Sequence, residues 1–116
     1  MRRVLAPLAL ALALAACGGE PADPCESGPT FTNTVKEISD AKCLSCHSKD
    51  AEGANRAGAP VGMDFDDYAS IQPILSDFAD ALTSGRMPPM GAPGISGTTP
   101  AERTLVNDWR VCGYPQ

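Results

Sequence analysis

The sequence predicts a small all-α domain. Three stretches carry apolar side chains at helical intervals of three and four residues, glycines and prolines separate or close those stretches, and no strand-rich βαβ pattern is present. With 116 residues, 43% hydrophobic and 20% charged, the chain has room for one domain and a thin core. Something beyond packing, such as a disulfide, a metal or a buried cofactor, is expected to help hold it.

The first element is a targeting segment. Met1, Arg2 and Arg3 precede an apolar run of thirteen residues from Val4 to Ala16, and small residues lead into Cys17. That run is shorter than the roughly 20 residues a membrane-spanning helix needs. Leu14-Ala15-Ala16-Cys17 resembles the lipobox of bacterial lipoproteins. The resemblance implies cleavage before Cys17 and lipidation on it, with acyl chains sufficient for stable attachment. Residues 1–16 are thus expected to be a lipoprotein signal peptide. Residues 17–30, rich in glycine and proline, read as a lipidated flexible tether. Gly18 after the cysteine is similar to an outer-membrane sorting pattern, so the expected location is the periplasmic side, outer membrane rather than inner, or the cell surface. Removing residues 1–16 takes away two of nine basic residues and leaves 7 against 14 acidic, a balance of −7. That sign argues against nucleic acid as a partner.

The domain, residues 31–116, opens with Phe31, Val35, Ile38 and Ala41, an apolar helical stripe that runs straight into Cys43-Leu44-Ser45-Cys46-His47. This stretch fits C-x-x-C-H, the attachment motif of c-type haem. Two thiols one helical turn apart can add to vinyl groups on one macrocycle edge, and the adjacent imidazole can then reach the iron. A redox dithiol has no use for the histidine, and structural zinc needs two further ligands at comparable spacing, which the chain lacks. Cys43 and Cys46 are therefore the expected thioether positions, and His47 the proximal iron ligand.

Ser48 to Gly62 has little periodicity and reads as a surface loop. Tyr68, Ile71 and Leu75 form the next face, and Pro73 separates a short helix from a longer one on which Ile74, Phe78 and Leu82 recur every four residues. Gly85 can end that helix, and Pro88 and Pro89 keep the following chain extended. His47 is the only histidine, so a second imidazole within the chain is excluded and the sixth position falls to methionine or stays open. Met87, held in the stiff Met-Pro-Pro segment, is the expected distal ligand, with Met90 as the alternative. Met63 is expected to pack at the haem edge or line the loop.

The last helix carries its own start signal. Thr99 is a capping residue, Pro100 takes the first helical position and Glu102 completes a capping box. Leu105, Trp109 and Cys112 fall on one face, and Gly113 stops the helix. Trp109 is expected to pack on the first helix, with an indole bond to a haem propionate as the alternative. Of the five cysteines, Cys25 and Cys112 remain after lipid and haem are assigned, and in an oxidising compartment they are expected to pair.

The order C-x-x-C-H, Gly- and Ala-rich loop, short helices, Met87-Pro88-Pro89, then Glu102-Arg103, Leu105, Trp109 and Gly113 resembles small monohaem class I cytochrome c domains. The resemblance implies short helices around one covalent haem c, His47 and Met87 on opposite sides of the iron, and electron transfer, not catalysis. It points to a membrane-anchored one-electron carrier that meets redox partner proteins. Two other readings stay open: the haem electron-exit subunit of a larger oxidoreductase, and a five-coordinate haem protein reactive toward gases or peroxide.

Overall fold

The computed structural model describes residue 19 and residues 22–116; the expected signal peptide and the expected lipidation site, Cys17, lie outside the described residues. Among the described residues the domain is all-α without a strand, and no helix is long and apolar enough to cross a membrane. The helices are α1 (Lys36–Lys42), α2 (Leu44–His47), α3 (Tyr68–Ile71), α4 (Leu75–Thr83) and α5 (Pro100–Val111).

The first helical segment begins where Thr30 closes a reciprocal cap with Asn33. Asn33 N–H donates to Thr30 Oγ1 at 3.2 Å, and Thr30 N–H donates to Asn33 Oδ1 at 2.7 Å. The first turn, Phe31–Val35, is a π turn and leads into α1. This wider winding changes the predicted face. Phe31, Val35, Ile38 and Ser39 are buried, whereas Ala41 is exposed. The buried row continues from Ser39 to Cys43 in steps of four, so the stripe reaches the first thiol through a serine instead of an alanine.

Trp109 sits at the middle of the core and is fully buried. Its ring meets Phe31 at 6.4 Å, Phe78 at 6.3 Å and Tyr114 at 5.0 Å between centroids. The predicted packing of Trp109 on the first helical segment is thus present, and its indole proton is already used. Nε1–H donates to the Pro115 carbonyl at 2.7 Å, which removes the propionate alternative. On α5 the inward residue beside Trp109 is Val106, fully buried, while Leu105 is 39% exposed. The helix packs on α4 through the 106/109 edge, and the expected Leu105 face is turned outward by one residue.

Gly113 and Tyr114 both take left-handed backbone, with φ of 81° and 59°, which folds the tail back over Trp109. Pro115 then also accepts Phe31 N–H at 2.8 Å. Cys25 and Cys112 form a disulfide, as expected, which ties the chain ahead of Phe31 to the end of α5 across 87 residues. Between α3 and α4 a 3-10 turn, Gln72–Ile74, carries Pro73. Phe78 and Leu82 of α4 are buried and Ile74 packs against them, following the predicted period.

A candidate haem site

His47 ends α2, and its orientation is set by contacts the sequence did not signal. Its Nδ1 lies 2.8 Å from the backbone carbonyl of Met63. A carbonyl oxygen only accepts, so the proton is on Nδ1 and the lone pair is on Nε2. The ring stacks on Phe65, 4.3 Å between centroids and 13° from parallel. Phe65 in turn donates its N–H to the His47 carbonyl at 2.7 Å, and its own carbonyl accepts from buried Ser39 Oγ at 3.1 Å. A histidine held this way presents Nε2 as a ligand, with the second nitrogen fixing tautomer and ring plane.

His47 lines a cavity of about 700 Å³, within the roughly 300–1,000 Å³ range of small-molecule and cofactor sites. Both thiols line it as well, and so do Met63, Met87 and Met90. Cys43 and Cys46 are free cysteines on the same side as the imidazole. Helix geometry explains the grouping: Cys46 N–H and His47 N–H both bond back to the Cys43 carbonyl, at 3.1 and 2.8 Å, so the three side chains stand on one turn. Burial pushes the Cys43 thiol up to about 12, against the opposing effect of a hydrogen bond with Ser39. Ile74 from the preceding 3-10 turn and Phe78, Ala81 and Leu82 of α4 add apolar lining.

Met87 is brought to the same cavity by the end of α4. Its N–H donates to the Ala81 carbonyl at 3.0 Å, with Gly85, at φ 71°, making the turn between them. The following Pro88 is buried, Met87 is 38% exposed and Met90 is fully exposed. The far end of this segment is stapled to the helices. Thr98 Oγ1 donates to Leu82 O at 3.0 Å, and the Arg103 guanidinium donates to Thr98 O and Oγ1. Arg103 therefore closes the methionine loop from α5.

The loop after His47 departs from the expected plain surface loop. It contains a 3-10 turn, Gly53–Arg56, and Arg56 is only 5% exposed. Its guanidinium donates to the carbonyls of Ser48, Ala51, Ala59 and Pro60, and to Asp64 Oδ1 at 2.9 Å. A longer contact of 3.4 Å reaches Met63 O, the acceptor of the His47 proton. Asp66 caps the near end by accepting from Ser48 Oγ and Lys49 N–H; although burial opposes it, these bonds hold its carboxyl below the usual range. Met63 takes part in two ways, with its side chain lining the cavity as expected and its carbonyl orienting the imidazole.

The residues present fit a c-type haem. The cavity is largely apolar, two thiols and one oriented imidazole share a wall, and thioethers reach it from the methionine loop. No group of three or more His, Cys, Asp and Glu side chains suited to a metal ion occurs among the described residues. Compared with protein-family models, with curated proteins and with solved structures, the chain matches none.

Proposed function

We propose that this chain is a lipid-anchored monohaem c-type cytochrome of class I architecture, a one-electron carrier on the periplasmic side of a membrane or at the cell surface. The observation that carries the reading is the state of His47. Its Nδ1 proton is committed to the Met63 carbonyl, which leaves Nε2 as a ligand on a cavity it shares with Cys43 and Cys46. Each thiol would add across a vinyl group, forming a C–S bond while its hydrogen goes to the neighbouring carbon, with no net change of oxidation state.

A bound haem supplies iron that gains and loses one electron, and protein ligands set its potential. His47 and Met87 would be the side chains that hold the iron, Met87 being preferred because Met90 is fully exposed and Met87 is 38% exposed. Thioether ligation favours the reduced state and leaves no position for substrate, which suits a carrier more than an enzyme. Phe65, Phe78, Leu82 and Ile74 exclude water from the walls. Docking with redox partner proteins would be small and transient, and Cys17 would keep the search on a surface.

The test is expression in a host competent for cytochrome c maturation. The expected product is coloured, heavier by one covalent prosthetic group, low-spin in both oxidation states and indifferent to carbon monoxide when reduced. A colourless product without added mass would remove the proposal. Ready carbon monoxide binding would instead point to an open iron and a gas- or peroxide-reactive protein.

A further inference from the structure

Arg56 has no part in attaching or ligating a haem, yet it is the most heavily bonded side chain in the domain. All five of its N–H donors are engaged, by four backbone carbonyls and the Asp64 carboxylate. Its grip falls on both sides of Met63: Pro60 O at 2.6 Å before it and Asp64 Oδ1 at 2.9 Å after it. The Met63 carbonyl between them takes the His47 proton at 2.8 Å, with Arg56 Nη2 3.4 Å away.

The guanidinium side chain is 6% exposed and the Asp64 side chain 22% exposed. An ion pair so poorly solvated keeps much of its field. Both Arg56 and His47 line the one cavity.

From this geometry we infer that Arg56 is a positioning residue for the proximal ligand, and that the Arg56–Asp64 pair sets the electron affinity of the iron through the Met63 carbonyl and its own field. The inference rests on the haem reading above. Two effects act with the same sign. A cation beside the Met63 carbonyl draws on its lone pairs and weakens the bond from Nδ1–H, making His47 a poorer electron donor. The same positive charge favours the reduced iron directly. Asp64 opposes both.

The pair therefore yields a sign test that loop anchorage alone does not. Arg56→Gln and Asp64→Asn each remove a contact from the same loop, so a role confined to holding the loop shifts the potential of both in one direction or of neither. A tuning role shifts them in opposite directions. With haem-loaded full-length protein held at the wild-type midpoint, where reduced and oxidised forms are equal, the reduced-to-oxidised ratio falls about threefold or more in Arg56→Gln. It rises by a comparable factor in Asp64→Asn.

Arg56→Lys keeps the charge but not the fork and stays closer to wild type than Arg56→Gln, with a lowered melting temperature. Shifts of the same sign, or none, in coloured protein overturn the inference. If Arg56→Gln does not fold, the Asp64→Asn variant decides alone: a higher reduced fraction supports the inference, and an equal or lower one overturns it. Colourless wild-type protein would instead overturn the haem reading, so the two failures are distinguishable.

Discussion

Replacing Cys25 and Cys112 together by serine tests how the domain is held. The bridge closes a loop of 87 residues, and the chain-entropy relation gives about 4.5 kcal/mol for a loop of that size. The folded state should lose little of its structure. The tail remains bonded through Phe31 N–H and Trp109 Nε1–H to Pro115 O, at 2.8 and 2.7 Å, and through Tyr68 Oη–H to Tyr114 O at 2.8 Å. The stabilisation thus lies mainly in restricting the unfolded chain. Urea unfolding monitored by near-ultraviolet circular dichroism should show a native spectrum at zero denaturant. At a slope of about 1.5 kcal/mol per molar, the midpoint should fall by about 3 M. The slope itself should rise, because the unlinked chain exposes more surface. An unchanged midpoint, or two free thiols at these positions in protein purified under oxidising conditions, would refute the reasoning.

Met87→Leu should convert a carbon-monoxide-indifferent reduced spectrum into one that binds the gas, whereas Met90→Leu should leave the spectrum as it was; the reverse outcome would move the distal ligand to Met90. Phe65→Ala removes a buried ring stacked on His47 and edge-on to Phe78, and should cost about 3–5 kcal/mol in a thermal melt, with Phe65→Leu losing distinctly less. In the haem-free chain Cys43, pushed up to about 12, keeps its proton when folded, while the unfolded chain releases it near about 8.5. The folded state then binds more protons. Its stability is full below about pH 8 and declines as pH rises toward 12, by at most about 1.4 kcal/mol per unit. Cys43→Ala should flatten that decline, and an identical slope would contradict it.

Much of this was legible because local chemistry and tertiary packing agree. The Thr99–Glu102 capping box forms as read, with Glu102 N–H donating to Thr99 Oγ1 at 3.2 Å and Thr99 N–H to Glu102 Oε2 at 2.7 Å. The period of Phe78 and Leu82 survives because α4 is a regular helix with one buried face, and Ile74 joins them from the 3-10 turn just before it. Ala41 failed for the opposite reason: a π turn at Phe31–Val35 shifts the phase, and no residue type announces such a turn. Leu105 and Val106 are adjacent and equally apolar, so only the angle at which α5 meets α4 decides between them. The orienting partner of His47 left no trace in the sequence, because it is a backbone carbonyl that any residue could have supplied. Arg56 was unreadable in the same way, since its partners are carbonyls gathered by a loop closure that periodicity cannot describe.

The two sides of the cavity are built with unequal stiffness, and this bears on how the site would respond to perturbation. On the imidazole side the ring is stacked, its proton is accepted by a carbonyl, and the loop carrying that carbonyl is riveted by Arg56 and capped by Asp66. On the methionine side, between Met87 N–H on Ala81 O and Thr98 on Leu82 O, the backbone makes only short-range turns, with Ala92 N–H to Pro89 O and Ile95 N–H to Ala92 O. Lys42 adds two bonds from outside the segment, both near its far end, to Ser96 Oγ at 2.7 Å and to Gly97 O at 3.4 Å. Local opening follows the density of such anchors, so the Met87–Ile95 segment opens at lower free energy than the His47 loop. In protein carrying the proposed haem, foreign ligands should therefore enter by displacing the Met87 sulfur while the His47 imidazole stays in place. Destabilising that segment should change ligand exchange well before it changes the global melt.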